Sequence, residues 1–280
     1  MYLIKQSVTQ TIALLVLVAV LLWIPQPAQA MPQTATVTID LCATTGTMTM
    51  PDGLAVTIWG YALGDCTGSP AAQVPGPLLE AEAGDTVNIT LHNNLSSATA
   101  MNIPGMPLRP DMTGAAPGAS TSYSFVAPEP GTYLYEAGLT PNSQHQVAMG
   151  LYGALVVRPA GAPTDAYNVT TAFDAEAVVL LSEIDPALNN RANPATFDMR
   201  NYKPRYSLIN GKSYPDTAEL AANFGDHTLL RYLNAGLLHH SMTVLGMQQQ
   251  VIAQDGNLLA QPYTLVAETI APGQTLDVFV

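Results

Sequence analysis

Gly84 to Asn94 reads GDTVNITLHNN, and this short run sets the fold class. Val87, Ile89 and Leu91 alternate with Asn88, Thr90 and His92, the period of two that belongs to a β-strand with one buried and one wet face. That parity turns His92 toward solvent. Gly84-Asp85 before the alternation and Asn93-Asn94 after it punctuate the strand at both ends.

The run recurs later in the chain. Gly225-Asp226 opens GDHTLLRYLN, which closes on Asn234, and each marker stands at one constant offset from its counterpart in the first copy. Ala116-Pro117-Gly118 before Tyr123-Ser124-Phe125 likewise returns as Ala271-Pro272-Gly273 before Asp277-Val278-Phe279. Such self-similarity implies two β-domains in tandem. The rest of the composition agrees: Thr, Val and Tyr are plentiful, charge is sparse, Pro and Gly close short runs, and no long amphipathic helix pattern follows the N-terminal segment. Ala177–Leu181 is a continuous apolar run suited to a central strand, and Asn210-Gly211 signals a two-residue hairpin. Arg158-Pro159-Ala160-Gly161-Ala162-Pro163 breaks the pattern as an interdomain linker. The expected organisation is a first domain over 31–160 and a second over 161–280. In the first copy two strands, around Tyr133 and Leu155, follow the strand through Phe125, whereas the second copy stops at Val280. A second sandwich truncated at its C-terminus, with an open edge and an open core, is therefore expected.

Residues 1–30 carry Lys5, an apolar run from Ile12 to Ile24 and Ala28-Gln29-Ala30, the pattern of a signal peptide. The run is shorter than the roughly 20 residues a membrane span takes. A secreted or periplasmic protein, without a membrane anchor after cleavage, is expected. The net charge of −12, with only nine Lys and Arg, argues against a nucleic-acid or anionic-membrane surface. Cys42 and Cys66 are the only cysteines, and in an exported chain a disulfide between them is the default. Closing that loop stabilises by about 3–4 kcal/mol in the chain-entropy model.

Several phrases resemble one family. Val74–Pro77 (VPGP), the strand from Gly84, GTYLYEAG from Gly131 and GLYGALVV from Gly150 are similar to the first cupredoxin domain of the laccase-like multicopper oxidases, and LINGKSYPDT from Leu208 resembles the opening of their second. The resemblance implies an all-β protein of tandem cupredoxin-like Greek-key sandwiches. It also implies copper ligands at defined places. The family's HxHG motif falls on Asn102 and Pro104 before Gly105, and its HxH after GTYxY falls on Glu136 and Gly138. Its HPxHxHG segment falls on NAGLLHHSMTVLGM, where His240 keeps its place while Ser241, Thr243 and Leu245 replace the proline and the two later histidines. Six histidine positions are thus filled by other residues. Proline and glycine offer no donor, and Asn and Glu are poor substitutes for imidazole at copper.

Three functional expectations follow. The first is a binding or structural module that lacks the oxygen-reducing trinuclear centre and is not an enzyme; its protein partner or small ligand stays open, and family analogy adds a homotrimer. The second is a copper oxidoreductase that takes missing ligands from a neighbouring subunit or from further chain. The third is a copper-binding protein using methionine and histidine: Met101, Met106 and Met112 in the loop at the ligand positions, His145 and Met149 on the segment expected to pack nearby, and His239 and His240 in the second domain, since thioethers suit Cu(I). Against it stands the ordinary use of Met as a filler of core gaps. Glu136 is expected to be partly buried beside Tyr133 and Tyr135 as a hydrogen-bonded replacement for a ligand.

Overall fold

In the computed structural model the described residues are 34–280, so the signal-peptide reading of residues 1–30 lies outside them. No helix among the described residues is long and apolar enough to cross a membrane.

The first sandwich pairs two four-stranded sheets. One runs β2 (Ala55–Leu63), β1 (Thr36–Thr49), β4 (Thr86–Asn93) and β6 (Ser120–Val126). The other runs β3 (Leu79–Glu82), β8 (Tyr152–Arg158), β7 (Gly131–Ala137) and β5 (Met101–Asn102). A short helix, α1 (Ser143–Met149), lies between β7 and β8. The alternation that opened the sequence is realised in β4, where Val87, Ile89 and Leu91 are fully buried. His92 on the opposite face meets Asp40 at 2.9 Å. Cys42 and Cys66 form a disulfide, Cα to Cα 5.0 Å, joining β1 to the loop after β2.

The second half builds a six-stranded sheet in the order β10 (Tyr206–Ile209), β9 (Ala175–Ile184), β11 (Thr228–Asn234), β16 (Thr275–Phe279), β13 (Gln249–Gln254) and β14 (Asn257–Leu265). A ribbon of β12 (His240–Thr243) and β15 (Ala267–Ile270) covers part of its outer face. One helical turn, α2 (Pro186–Asn189), and short 3₁₀ turns carry the chain from β9 to β10.

The internal repeat is visible in hydrogen bonds as well as in letters. β1 runs parallel to β4, which pairs antiparallel with β6; β9 runs parallel to β11, which pairs antiparallel with β16. Asn93 at the end of β4 donates its amide to the carbonyls of Ser97 and Ala115 and accepts from the Leu95 N–H. Asn234 at the end of β11 donates to the carbonyls of Leu238 and Ile270 and accepts from the Gly236 N–H. One polar side chain thus satisfies the backbone of the same loop in each copy, where an unpaired buried group would be costly.

Beyond that shared unit the copies diverge. In the first, β6 is a sheet edge; in the second, β13 pairs with β16 and β14 pairs with β13. The open edge expected beside the strand through Phe279 is therefore found at β14, which is exposed along most of its length. The outer face carries exposed Leu220, Phe224, Leu245, Met247 and Val266 around a core of Val179, Leu230, Val251 and Val278.

A continuous apolar layer joins the two halves. Leu134, Tyr152 and Ala154 of β7 and β8 pack with Leu180, Ile184, Leu208 and Leu233 of the six-stranded sheet. Each such side chain, once buried, contributes on the order of 1.5–3 kcal/mol. The linker at 158–163 is consequently bridged by contact rather than left as a free tether.

Candidate functional site

The positions that the family motif reserves for histidine come together on the β5 and β7 edge of the first sandwich. Asn102 and Glu136 are directly opposed cross-strand partners. Strand alternation turns Glu136 to the side of Leu134, away from Tyr133 and Tyr135, which point into the first core. The expected burial of Glu136 beside those two tyrosines is corrected accordingly: it is half-buried, on the other face. Burial raises its carboxyl above the usual value, and the hydrogen bond from Asn102 only partly offsets this. A Cβ at Gly138 would stand 3.0 Å from Met101 backbone and from the Ala100 side chain, so little space is free there. Asn102, Pro104, Glu136 and Gly138 together supply one amide, one carboxylate and no imidazole. This donor set does not fit a copper cluster held by ring nitrogens.

An acid with a raised folded-state pKa favours folding while neutral and opposes it once ionised. Stability is therefore expected to fall as pH rises from the ordinary Glu value of 4.5 through the higher folded-state value. Glu136→Gln should remove that decline and leave the protein no less stable at neutral pH, as followed by denaturant unfolding across a pH series.

The other candidate ligands are distributed as follows. Met101, Met106 and Met149 are buried in the core of the first sandwich, whereas Met112 is 72% exposed and apart from them. His145, one helical turn before Met149 on α1, hydrogen-bonds through Nε2 to the carbonyl oxygen of Phe197 at 2.8 Å. A carbonyl can only accept, so Nε2 donates and the neutral ring keeps its lone pair on Nδ1. That Nδ1 is buried without a partner. His239 is exposed. His240 directs Nε2 to Glu183 at 2.5 Å. Glu183 is buried, accepts also from the N–H groups of Leu237 and Leu238, and leaves no room for a side chain at Gly236, whose Cβ would come within 2.3 Å of its carboxylate. The retained histidine is thus held by a carboxylate. Ser241, Thr243 and Leu245, at the neighbouring motif positions, are exposed on and beside the β12 ribbon. Among the described residues no group of three or more His, Cys, Asp or Glu side chains is arranged to hold a metal ion.

The multicopper oxidase family model matches residues 69–162. Copper resistance protein A of Pseudomonas syringae pv. tomato is 25% identical over 261 residues, 74% of this chain and 41% of the relative. The blue copper oxidase of Nitrosomonas europaea has the same fold, with a TM-score of 0.75 at 23% identity over 88% of this chain and 75% of that one. Residues 69–162 thus carry a multicopper oxidase domain. The chain is also 35% identical over 118 residues to the copper-containing nitrite reductase of Neisseria meningitidis serogroup B, 40% of this chain and 28% of the reductase. The chain therefore spans well under half the length of both curated relatives.

Sequence reasoning missed the charged network between the two halves. Arg231 on β11 is fully buried; its Nε donates to Glu176 at 2.6 Å and its Nη1 to Asp277 at 3.0 Å and Thr132 at 2.9 Å. Tyr167 donates to the other side of the same cluster at Asp277, 2.6 Å. Arg158 bridges Glu176 to Glu80 of the first sandwich. The available signal was one arginine inside the otherwise apolar TLLRYLN strand, a position where a charge survives only if paired.

Proposed function

We propose that this multicopper oxidase relative is an exported cupredoxin scaffold that does not itself assemble the oxygen-reducing trinuclear centre and works as a binding or structural module. The observation that carries the reading is the Asn102 and Glu136 pair, two ligand positions occupied by an amide and a carboxylate set opposite each other across adjacent strands. The disulfide supports it, because both cysteines are consumed and no free thiolate exists among the described residues to make a blue copper site. The test is the copper content and optical spectrum of the mature protein after loading with Cu(II), alongside oxygen uptake with a phenolic reductant. The expected result is neither an intense blue thiolate band nor oxygen consumption. Stoichiometric copper with turnover would overturn the reading in favour of an oxidoreductase completed by a neighbouring subunit or by further chain, an activity that the names of the copper-containing relatives suggest.

A second reading rests on His145. Its buried, unpartnered Nδ1 lone pair lies one helical turn from buried Met149, and an imidazole with a thioether is a donor pair suited to Cu(I). Competition for Cu(I) against a chromophoric chelator tests it. Uptake should be lost in both His145→Ala and Met149→Leu; uptake that survives both substitutions dismisses it.

A further inference from the structure

The polar cleft where α1 meets the turn after α2 shares only His145 with the readings above, and its lining is chemically one-sided. It encloses about 700 Å³ between the first sandwich and residues 191–195 of the second half. Trp59 forms an apolar wall, and Ser97, Asn142, His145, Arg191 and Asn193 present hydroxyl, amide, imidazole and guanidinium groups. None of the described residues lining it is acidic. In a chain with 21 Asp and Glu against nine Lys and Arg, a cleft with a cation and no carboxylate is the exception.

Arg191 is the informative member. Among the described residues Arg158, Arg200, Arg205 and Arg231 each pair with a carboxylate, whereas Arg109 and Arg191 do not, and of these two only Arg191 lines the cleft. Arg191 instead donates its Nε to Thr196 at 2.9 Å and lies over the Phe197 ring at 6.0 Å. These two contacts orient the guanidinium plane without neutralising it, so its terminal nitrogens remain available as a fork. A pre-oriented guanidinium matches a planar carboxylate through two parallel N–H···O bonds, and pre-orientation reduces the ordering cost of binding. The volume suits a small molecule, and clefts between packed halves are common ligand sites.

We infer that this cleft binds a small organic carboxylate, held at its charged end by Arg191 and along its body by the amides and hydroxyls around Trp59. The amides and hydroxyls along Trp59 favour an anion with an organic body over inorganic phosphate. A cation finds no acidic ligand in the lining.

The experiment titrates the full mature chain with succinate and follows backbone amide shifts, with uncharged succinamide and inorganic phosphate as comparison probes. Succinate should shift the amides of Asn142, Arg191 and Asn193 saturably, while succinamide and phosphate should leave them in place. Because the fork is charge-assisted, Arg191→Gln should weaken succinate about ten-fold, equivalent to about 1.4 kcal/mol, with the remaining amide spectrum unchanged. The inference is overturned if succinate causes no shifts at millimolar concentration, if succinamide or phosphate acts equally, or if Arg191→Gln binds as the parent does.

Discussion

Arg231→Met is expected to lower the unfolding free energy by about 3–5 kcal/mol, the usual cost of removing one partner from a buried ion pair. The arginine is fully buried and meets two carboxylates, Glu176 and Asp277, with Thr132 of the first sandwich bonded to both the guanidinium and Asp277. Taking away the cation leaves Asp277, 1% exposed, with only the hydroxyl donors of Thr132 and Tyr167. The methionine fills much of the volume, so the loss reports charge rather than a cavity. Denaturant unfolding of parent and variant measures it; a loss under about 1 kcal/mol, the range of exposed pairs, would mean that the network does not clamp the two halves. The same network gives acid sensitivity. Burial alone would raise the Glu176 carboxyl, but Arg158 and Arg231 outweigh it and hold the carboxyl below the usual value. A carboxyl so lowered stabilises the fold above its ordinary value and ceases to do so as pH falls through the folded-state value. Stability of the parent should therefore drop as pH falls below 4.5, and the Arg231→Met variant should show a smaller drop. This acid limb is opposite in sign to the contribution of Glu136.

Gly211→Ala is the second substitution expected to have a large effect. Gly211 sits in the hairpin after β10 with φ of +75°, and a Cβ there would fall 1.7 Å from the backbone oxygen of Val74 in the first sandwich. The left-handed conformation costs a non-glycine residue about 1–2 kcal/mol, and crowding against packed backbone typically adds about 1–3 kcal/mol. The clash lies where the second half docks on the first, so relief requires the hairpin to withdraw from Val74. The expected result is a thermal midpoint well below that of the parent, with faster proteolysis in the 158–163 linker. As a control, Gly53 also has a positive φ but has nothing within 4 Å of a built Cβ; Gly53→Ala should show only the smaller conformational cost. Equal losses for the two variants would remove the docking explanation.

Much of this protein was legible in one dimension. The alternation at 87–91 specified a strand with its inner face because a period of two is a local property of extended backbone. The Asn93 and Asn234 equivalents could be matched because a repeated loop needs the same polar group to satisfy the same backbone. The disulfide partners required no geometry, since the chain has two cysteines only. The residues at the motif positions were readable too, although their mutual pairing was not.

The rest depended on side chains brought together from distant strands. Glu136 faces Asn102 rather than its neighbouring tyrosines because β5 aligns against β7 in one register. Glu183 reaches His240 from β9, 57 residues earlier in the chain. Arg158, Glu176, Arg231 and Asp277 form one network only where the two halves pack. The sequence by itself determined the strands, the tandem repeat and the chemical character at each motif position, because these follow from local periodicity and residue type. Only the tertiary structure decided which polar groups neutralise one another, which, like Arg191, meet no carboxylate, and which, like the Nδ1 of His145, are left without a partner, because pairing depends on long-range registry that no local pattern encodes.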